Sequence, residues 1–288
     1  MNHIAFPGLG LEFAIDPVAF SIGAKPIYWY AIIIAAGFLL AAWYAMRRAN
    51  SLSVDPDRLL DALIWATPIA IICARLYYVA FEFDRYRDDL VSILYIWEGG
   101  IAIYGAVIGA IITLAIYCKI KRQNLLAMLD VGALGLLIGQ AIGRWGNFVN
   151  GEAYGTATSL PWRMVVNGVV AHPTFLYESL WNALGFVLLH FRSKHRKFKG
   201  EIFLLYVAWY GLGRGMIEGL RTDSLYIAGT GLRVSQLLGF VTCLIAVIVL
   251  FIQYVFRDHP AEALASAPEQ AETIEKLTED ETDGSEDH

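Results

Sequence analysis

Seven stretches of about twenty mostly apolar residues run through the chain, at about 27–46, 59–81, 99–118, 125–145, 174–191, 201–219 and 233–256. A hydrocarbon layer about 30 Å thick takes about 20 such residues per helix. Only a helix or a closed barrel bonds all its backbone polar groups there. The expected fold is an all-α polytopic membrane protein: seven transmembrane helices with a small extracytoplasmic β-hairpin cap. Composition agrees, since 57% of the 288 residues are hydrophobic and 17% charged, where soluble chains carry about 25% charged residues. A soluble enzyme, a secreted disulfide scaffold and a disordered chain are thereby excluded.

Residues 1–26 read as an extracytoplasmic N-terminal arm, 27–256 as the membrane domain and 257–288 as a disordered acidic tail. The formal charge of -5 belongs to that tail, which holds 11 Asp and Glu against 2 Lys and Arg. No basic start followed by an apolar core precedes the first span, so that span is expected to act as the insertion signal. Lys and Arg crowd the loops after spans one, three and five, notably Arg47, Arg48, Lys119, Lys121, Arg192, Lys194 and Lys197. The positive-inside rule then puts the amino end outside and the tail in the cytoplasm. In the outer connection 146–173, two β-prone runs flank Asn167-Gly168, a hairpin signal.

Gly105 and Gly109, and Gly135, Gly139 and Gly143, form stripes suited to close helix packing. Cys73, Cys118 and Cys243 lie far apart, without metal-ligand spacing, and read as small buried hydrophobes. No internal repeat stands out, which weighs against a repeat-built transporter.

An ionised side chain at the centre of a spanning helix costs about 2.5–3.5 kcal/mol on insertion scales. Arg75, Glu98, Arg144, Glu178, Arg214 and Glu218 are such residues, all placed by the expected topology in the outer half, where they can gather around one polar cavity. Tyr210, Arg214 and Glu218 recur every four residues, on one helical face with Arg221; a plain ion pair is the simpler account of Arg214 and Glu218. Arg75 and Glu178 read first as interhelical braces, His172 as a loop residue, Asp130 and Gln140 as packing polar groups. The densest polar segment runs from Gly143 to Gly155, with Arg144, Asn147, Asn150 and Glu152. Guanidinium forks and amide donors beside glycines suit a phosphate.

That segment resembles the signature of the phosphatidylglycerol:prolipoprotein diacylglyceryl transferases, Gly-Arg-x-Gly-Asn-Phe-x-Asn-x-Glu-x-x-Gly, matched at every fixed position from Gly143 to Gly155. Similar to further family motifs are Trp29-Tyr30, Ala74-Arg75-Leu76, Trp97-Glu98-Gly99-Gly100, His172-Pro173-Thr174 with Leu176-Tyr177-Glu178, and Tyr210-Gly211 with Gly213-Arg214, Glu218 and Arg221. The resemblance implies transfer of a diacylglyceryl group from phosphatidylglycerol to the lipobox cysteine of preprolipoproteins in the bacterial cell membrane, releasing glycerol phosphate. It implies catalytic roles for Arg144, Arg214, Tyr104 and Tyr210, and substrate binding by Tyr30, Asn147, Asn150, Glu152, Gly155, Glu218 and Arg221. Tyr104 stands where many members carry histidine, so a histidine base does not carry over. No metal, soluble cofactor or nucleic acid is expected, because the lipid brings the transferred group. A transporter with an anion path is the rival from another class, disfavoured because the polar groups cluster toward the outer leaflet rather than the midplane. An intramembrane protease is disfavoured by the lack of a Gly-x-Ser-x-Gly elbow or paired intramembrane aspartates.

Overall fold

Long apolar runs can bond their own backbones only by coiling, and among the described residues seven helices of 18 to 26 residues result. They are α1 (Trp29–Ala49), α2 (Pro56–Phe81), α3 (Ile103–Ile120), α4 (Leu125–Asn150), α5 (Thr174–Ser193), α6 (Glu201–Glu218) and α7 (Val234–Phe256). A computed structural model describes residues 1–257 except positions 24 and 228, and not the side chain of Glu98. The acidic tail beyond Arg257 lies outside the described residues. Among the described residues, five helices, α1 to α4 and α7, are long and apolar enough to cross a membrane. α5 and α6 have the length but carry Glu178, His190 and Arg192, and Glu201, Arg214 and Glu218, which lower their hydropathy.

The described residues divide into two compact units, residues 1–48 with 129–257, and residues 49–128. In the first, α1 runs antiparallel to α4. Side chains added at Gly37, Gly143 and Gly146 would meet Ile142, Ile34 and Tyr30 at 3.2, 3.2 and 2.7 Å. α5 and α6 are joined by a reciprocal clasp: the Trp181 and Trp209 rings stack at 4.3 Å, and each indole N–H donates to the other's carbonyl at 3.0 Å. α6 and α7 approach backbone to backbone, since a Cβ on Gly211 would lie 2.5 Å from the Gly239 carbonyl oxygen. About 21 Å along α4 from Arg144, buried Asp130 accepts from the Gly200 and Phe203 amides at 2.8 and 2.9 Å and from Arg196 at 2.9 Å. It thereby satisfies orphan donors at the start of α6.

The expected hairpin is present and is part of something larger. β5 (Met164–Val166) and β6 (Val169–Ala171) turn at Asn167 and Gly168, with φ of 50° and 85°, the doubly left-handed turn that Asn-Gly favours. β5 also pairs antiparallel with β1 (Asn2–Phe6), which pairs with β2 (Leu11–Ile15), giving the order β2-β1-β5-β6. A separate ribbon joins β3 (Val18–Ile22) to β4 (Lys25–Tyr28). The region read as an arm is thus largely β-structure. Alternation in β1 buries Ile4 and Phe6 with Met164, Val166 and Phe175, against Phe148 and Tyr154. Asn2 donates to the Val149 carbonyl at 3.0 Å, so the sheet clamps the end of α4.

In the second unit α2 starts at Pro56, with the Asp55 side chain accepting from the Asp57 amide at 2.9 Å, and packs on α3 through the expected glycines. Cβ atoms on Gly105 and Gly109 would meet the Cys73 carbonyl oxygen and Cβ at 2.4 and 2.6 Å. Arg75 is buried and donates to the carbonyls of Ser92, Ile93, Gly99 and Gly100 at 2.6–2.9 Å, with its guanidinium over the Tyr86 ring. It braces the connection between α2 and α3 through these backbone carbonyls.

Candidate active site

α4 stays helical past its apolar stretch as far as Asn150, which carries Arg144, Asn147 and Asn150 into one polar group. Arg144 donates to Asn147 Oδ1 at 3.4 Å; Asn147 and Asn150 donate to Glu152 Oε1 at 3.0 and 3.3 Å. A left-handed Gly151 (φ 63°) turns the chain so that Glu152 faces back toward these amides. Tyr30, at the start of α1, lays its ring against Gly146 one turn away.

Glu178 is the centre of the arrangement. One of its oxygens, Oε2, pairs with Arg144 and, at 3.5 Å, with Arg214; the other meets Arg221 Nη1 at 3.2 Å. Arg214 also pairs with Glu218 at 2.7 Å, as the four-residue spacing predicts. Arg221 forks onto Asp223, Nε to Oδ1 at 2.9 Å and Nη2 to Oδ2 at 2.6 Å. Glu178 and Glu218 are only 4% and 2% exposed, and burying a carboxylate is costly unless it is paired, as both are here. Burial alone would weaken the Arg221 charge, but the Asp223 hydrogen bonds and the Glu178 carboxylate outweigh it and hold the guanidinium protonated. The same hydrogen bonds hold the Asp223 carboxyl below the usual carboxylate range.

The cluster is therefore electrically compensated, unlike the simply cationic site that the arginines alone suggest. Arg144 and Arg214 keep 20% and 19% of their side chains exposed, Arg221 10%. The first two are thus the better placed to meet an incoming anion, while Arg221 is largely occupied. Such a site can accept phosphate oxygens on guanidinium forks and relax Glu178 as the new charge arrives.

Of the residues expected at the site, Arg144, Asn147, Asn150, Glu152, Arg214, Glu218 and Arg221 are brought together. Tyr210 lies one turn from Arg214 and stacks on Tyr206 at 5.8 Å. Gly155 has a packing reason of its own: it bridges to Arg221, its amide donates to the His172 carbonyl at 3.0 Å, and a Cβ would lie 2.7 Å from His172 Cβ. Tyr104 opens α3 in the second unit, its ring centroid 6.5 Å from that of Tyr77. Asp223 is not singled out by spacing, and Glu178, singled out by its apolar surroundings as one of the charges that can share a cavity, reads first as a brace.

Comparison with known proteins adds an independent finding. The model of the family described as prolipoprotein diacylglyceryl transferase matches residues 17–252. The phosphatidylglycerol–prolipoprotein diacylglyceryl transferase of Finegoldia magna is 49% identical over 240 residues, covering 83% of this chain and 96% of its own. Its counterpart from Listeria monocytogenes serotype 4a is 44% identical over 258 residues, covering 85% and 92%. That of Pediococcus pentosaceus is 45% identical over 251 residues, covering 82% and 90%.

Proposed function

Because the chain belongs to the prolipoprotein diacylglyceryl transferase family, we propose that it moves the diacylglyceryl group of phosphatidylglycerol onto the lipobox cysteine of preprolipoproteins, the first step of lipoprotein maturation. The observation that carries this reading is the meeting of Arg144, Arg214 and Arg221 on Glu178, directly beside the Gly143–Gly155 segment. In the reaction a carbon–sulfur bond forms at the glyceryl carbon that bears the phosphate. The bond from that carbon to the phosphate oxygen breaks, and glycerol phosphate leaves with the electron pair. The thiol proton passes to solvent or to the departing phosphate.

The residues divide this work. Arg144 and Arg214 bind the phosphate and take up the charge that grows on the leaving oxygen, where preorganised donors act most strongly. Nearby guanidinium charge also favours the substrate thiolate over the thiol. Asn147, Asn150 and Glu152 orient Arg144 and the headgroup, with Tyr30 against the same turn of α4. Glu218 holds Arg214 on its helical face, with Tyr210 one turn away. Tyr104 donates a hydrogen bond from its hydroxyl to the lipid. No metal or soluble cofactor enters the chemistry.

All seven helices span the bacterial inner membrane in this reading, with the amino end outside and the carboxyl end in the cytoplasm, as the loop charges favour. α5 and α6 can span despite their charges because Glu178, Arg214 and Glu218 are paired within the protein. The test is incubation of the purified protein with phosphatidylglycerol and a lipobox peptide, followed by mass spectrometry. A peptide heavier by one diacylglyceryl group on sulfur is expected; an unmodified peptide refutes the proposal.

A further inference from the structure

Building on the transfer reaction proposed above, we infer that Asp223 is a positioning residue for it, setting through Arg221 and Glu178 the aim of the two arginines that meet the lipid phosphate.

Arg221 is pinned at three places. Its backbone is tied to the loop after α4, through the bridge to Gly155 and the neighbouring Thr156 amide, which donates to the Leu220 carbonyl at 2.7 Å. One edge of its guanidinium is held by both Asp223 oxygens, at 2.9 and 2.6 Å. The remaining Nη1 meets Glu178 Oε1 at 3.2 Å. Glu178 is then fixed in rotation, with Arg221 on one oxygen and Arg144 and Arg214 on the other. Charges alternate without a break from Asp223 through Arg221 and Glu178 to the two outer arginines. Without the fork, Arg221 is free to turn its Nε toward Glu218 Oε2, now 4.0 Å away, and Glu178 is released to follow.

The Asp223 side chain is 50% exposed. An ion pair that open to solvent adds little stability, whereas a two-point fork specifies orientation. The residue is therefore placed to matter for geometry more than for folding.

The experiment measures thioether formation by the full-length protein at varied phosphatidylglycerol, with thermal unfolding in parallel. Asp223→Asn should lower kcat roughly 10- to 100-fold, the range a misplaced catalytic group costs. KM for the lipid and the unfolding temperature should stay near wild type, and Asp223→Glu should restore most of the rate. Arg221→Lys keeps the charge but loses the fork, so it should also lower kcat. The double variant should then be no slower than the slower single one, the signature of coupled sites. An Asp223→Asn protein with unchanged kcat, or with a raised KM and intact kcat, overturns the inference; so do single effects that multiply. If Asp223→Asn does not fold, recovery of kcat by Asp223→Glu and the Arg221→Lys result still decide. A wild-type protein that makes no thioether refutes the transfer reaction instead.

Discussion

Glu178→Gln keeps the side-chain volume but removes the carboxylate that three guanidinium groups share. At separations of 3.2 and 3.5 Å and an effective dielectric of about 20, each attraction is about 5 kcal/mol before desolvation and arginine repulsion are set against it. The net cost is smaller, because Glu218 and Asp223 still hold Arg214 and Arg221. Removing one member of a buried charged group costs about 3–5 kcal/mol, which lowers the unfolding temperature on the order of 10 °C for a chain of this size. The assay is thermal unfolding in lipid-free detergent, followed by tryptophan fluorescence. Inorganic phosphate should rescue the variant, since an anion at 100 times its Kd returns about 2.7 kcal/mol, while the wild type, already compensated, should respond little. An unfolding temperature within about 2 °C of wild type contradicts the assignment of Glu178 as the charge centre. Equal phosphate responses in the two proteins contradict it as well.

Arg144→Lys and Arg214→Lys keep the charge but lose the planar fork, so each should cut turnover by at least about 100-fold, as loss of an oxyanion donor does, while membrane insertion is unchanged; near-normal turnover in either makes that arginine a structural counterion. A cysteine at Val169, exposed on β6, should react with an impermeant maleimide from outside intact cells, and one at exposed Lys194 should not; the opposite labelling reverses the topology. Tyr104→His should retain substantial activity and Tyr104→Phe a reduced one; a dead Tyr104→Phe that still binds phosphatidylglycerol points to a phenolate base. Because Arg221 holds the folded-state Asp223 carboxyl below its unfolded value, the stability from this pair is fully present above about pH 4 and is lost as pH falls through the folded-state value. The stability difference between wild type and Asp223→Asn, small for a pair this open to solvent, should therefore be flat from pH 7 to about pH 5 and vanish in stronger acid.

The helices were legible because about twenty apolar residues admit few other structures. The boundary of α4 was not: Asn147 and Asn150 look like a loop, yet they continue the helix because their side chains have Glu152 to bond. The hairpin declared itself through Asn167-Gly168, while its partner β1 lies some 160 residues earlier in the chain, beyond the reach of any local pattern. Arg75 and Glu178 carry the same signal, a charge in an apolar helix, and meet different fates. Arg75 is spent on backbone carbonyls, which leave no trace in sequence. Glu178 collects three side chains whose identities were readable but whose convergence depends on the packing of α4, α5 and α6. Asp223 follows a short charged stretch outside a span, where an acidic residue is ordinarily solvated.

The central place of β1 in the sheet also dictates an order of assembly. Its second neighbour, β5, is synthesised about 160 residues later, a delay of roughly 8–32 s at 5–20 residues per second. Until then the β1–β2 hairpin must wait with Ile4 and Phe6 uncovered, marginal on its own as isolated hairpins are, while α1 to α4 are being made. The last native contact of the first residues made is thus among the later ones formed. A fusion partner that folds quickly ahead of Asn2 would compete with that closure, whereas one attached behind α7 would arrive after the sheet is complete.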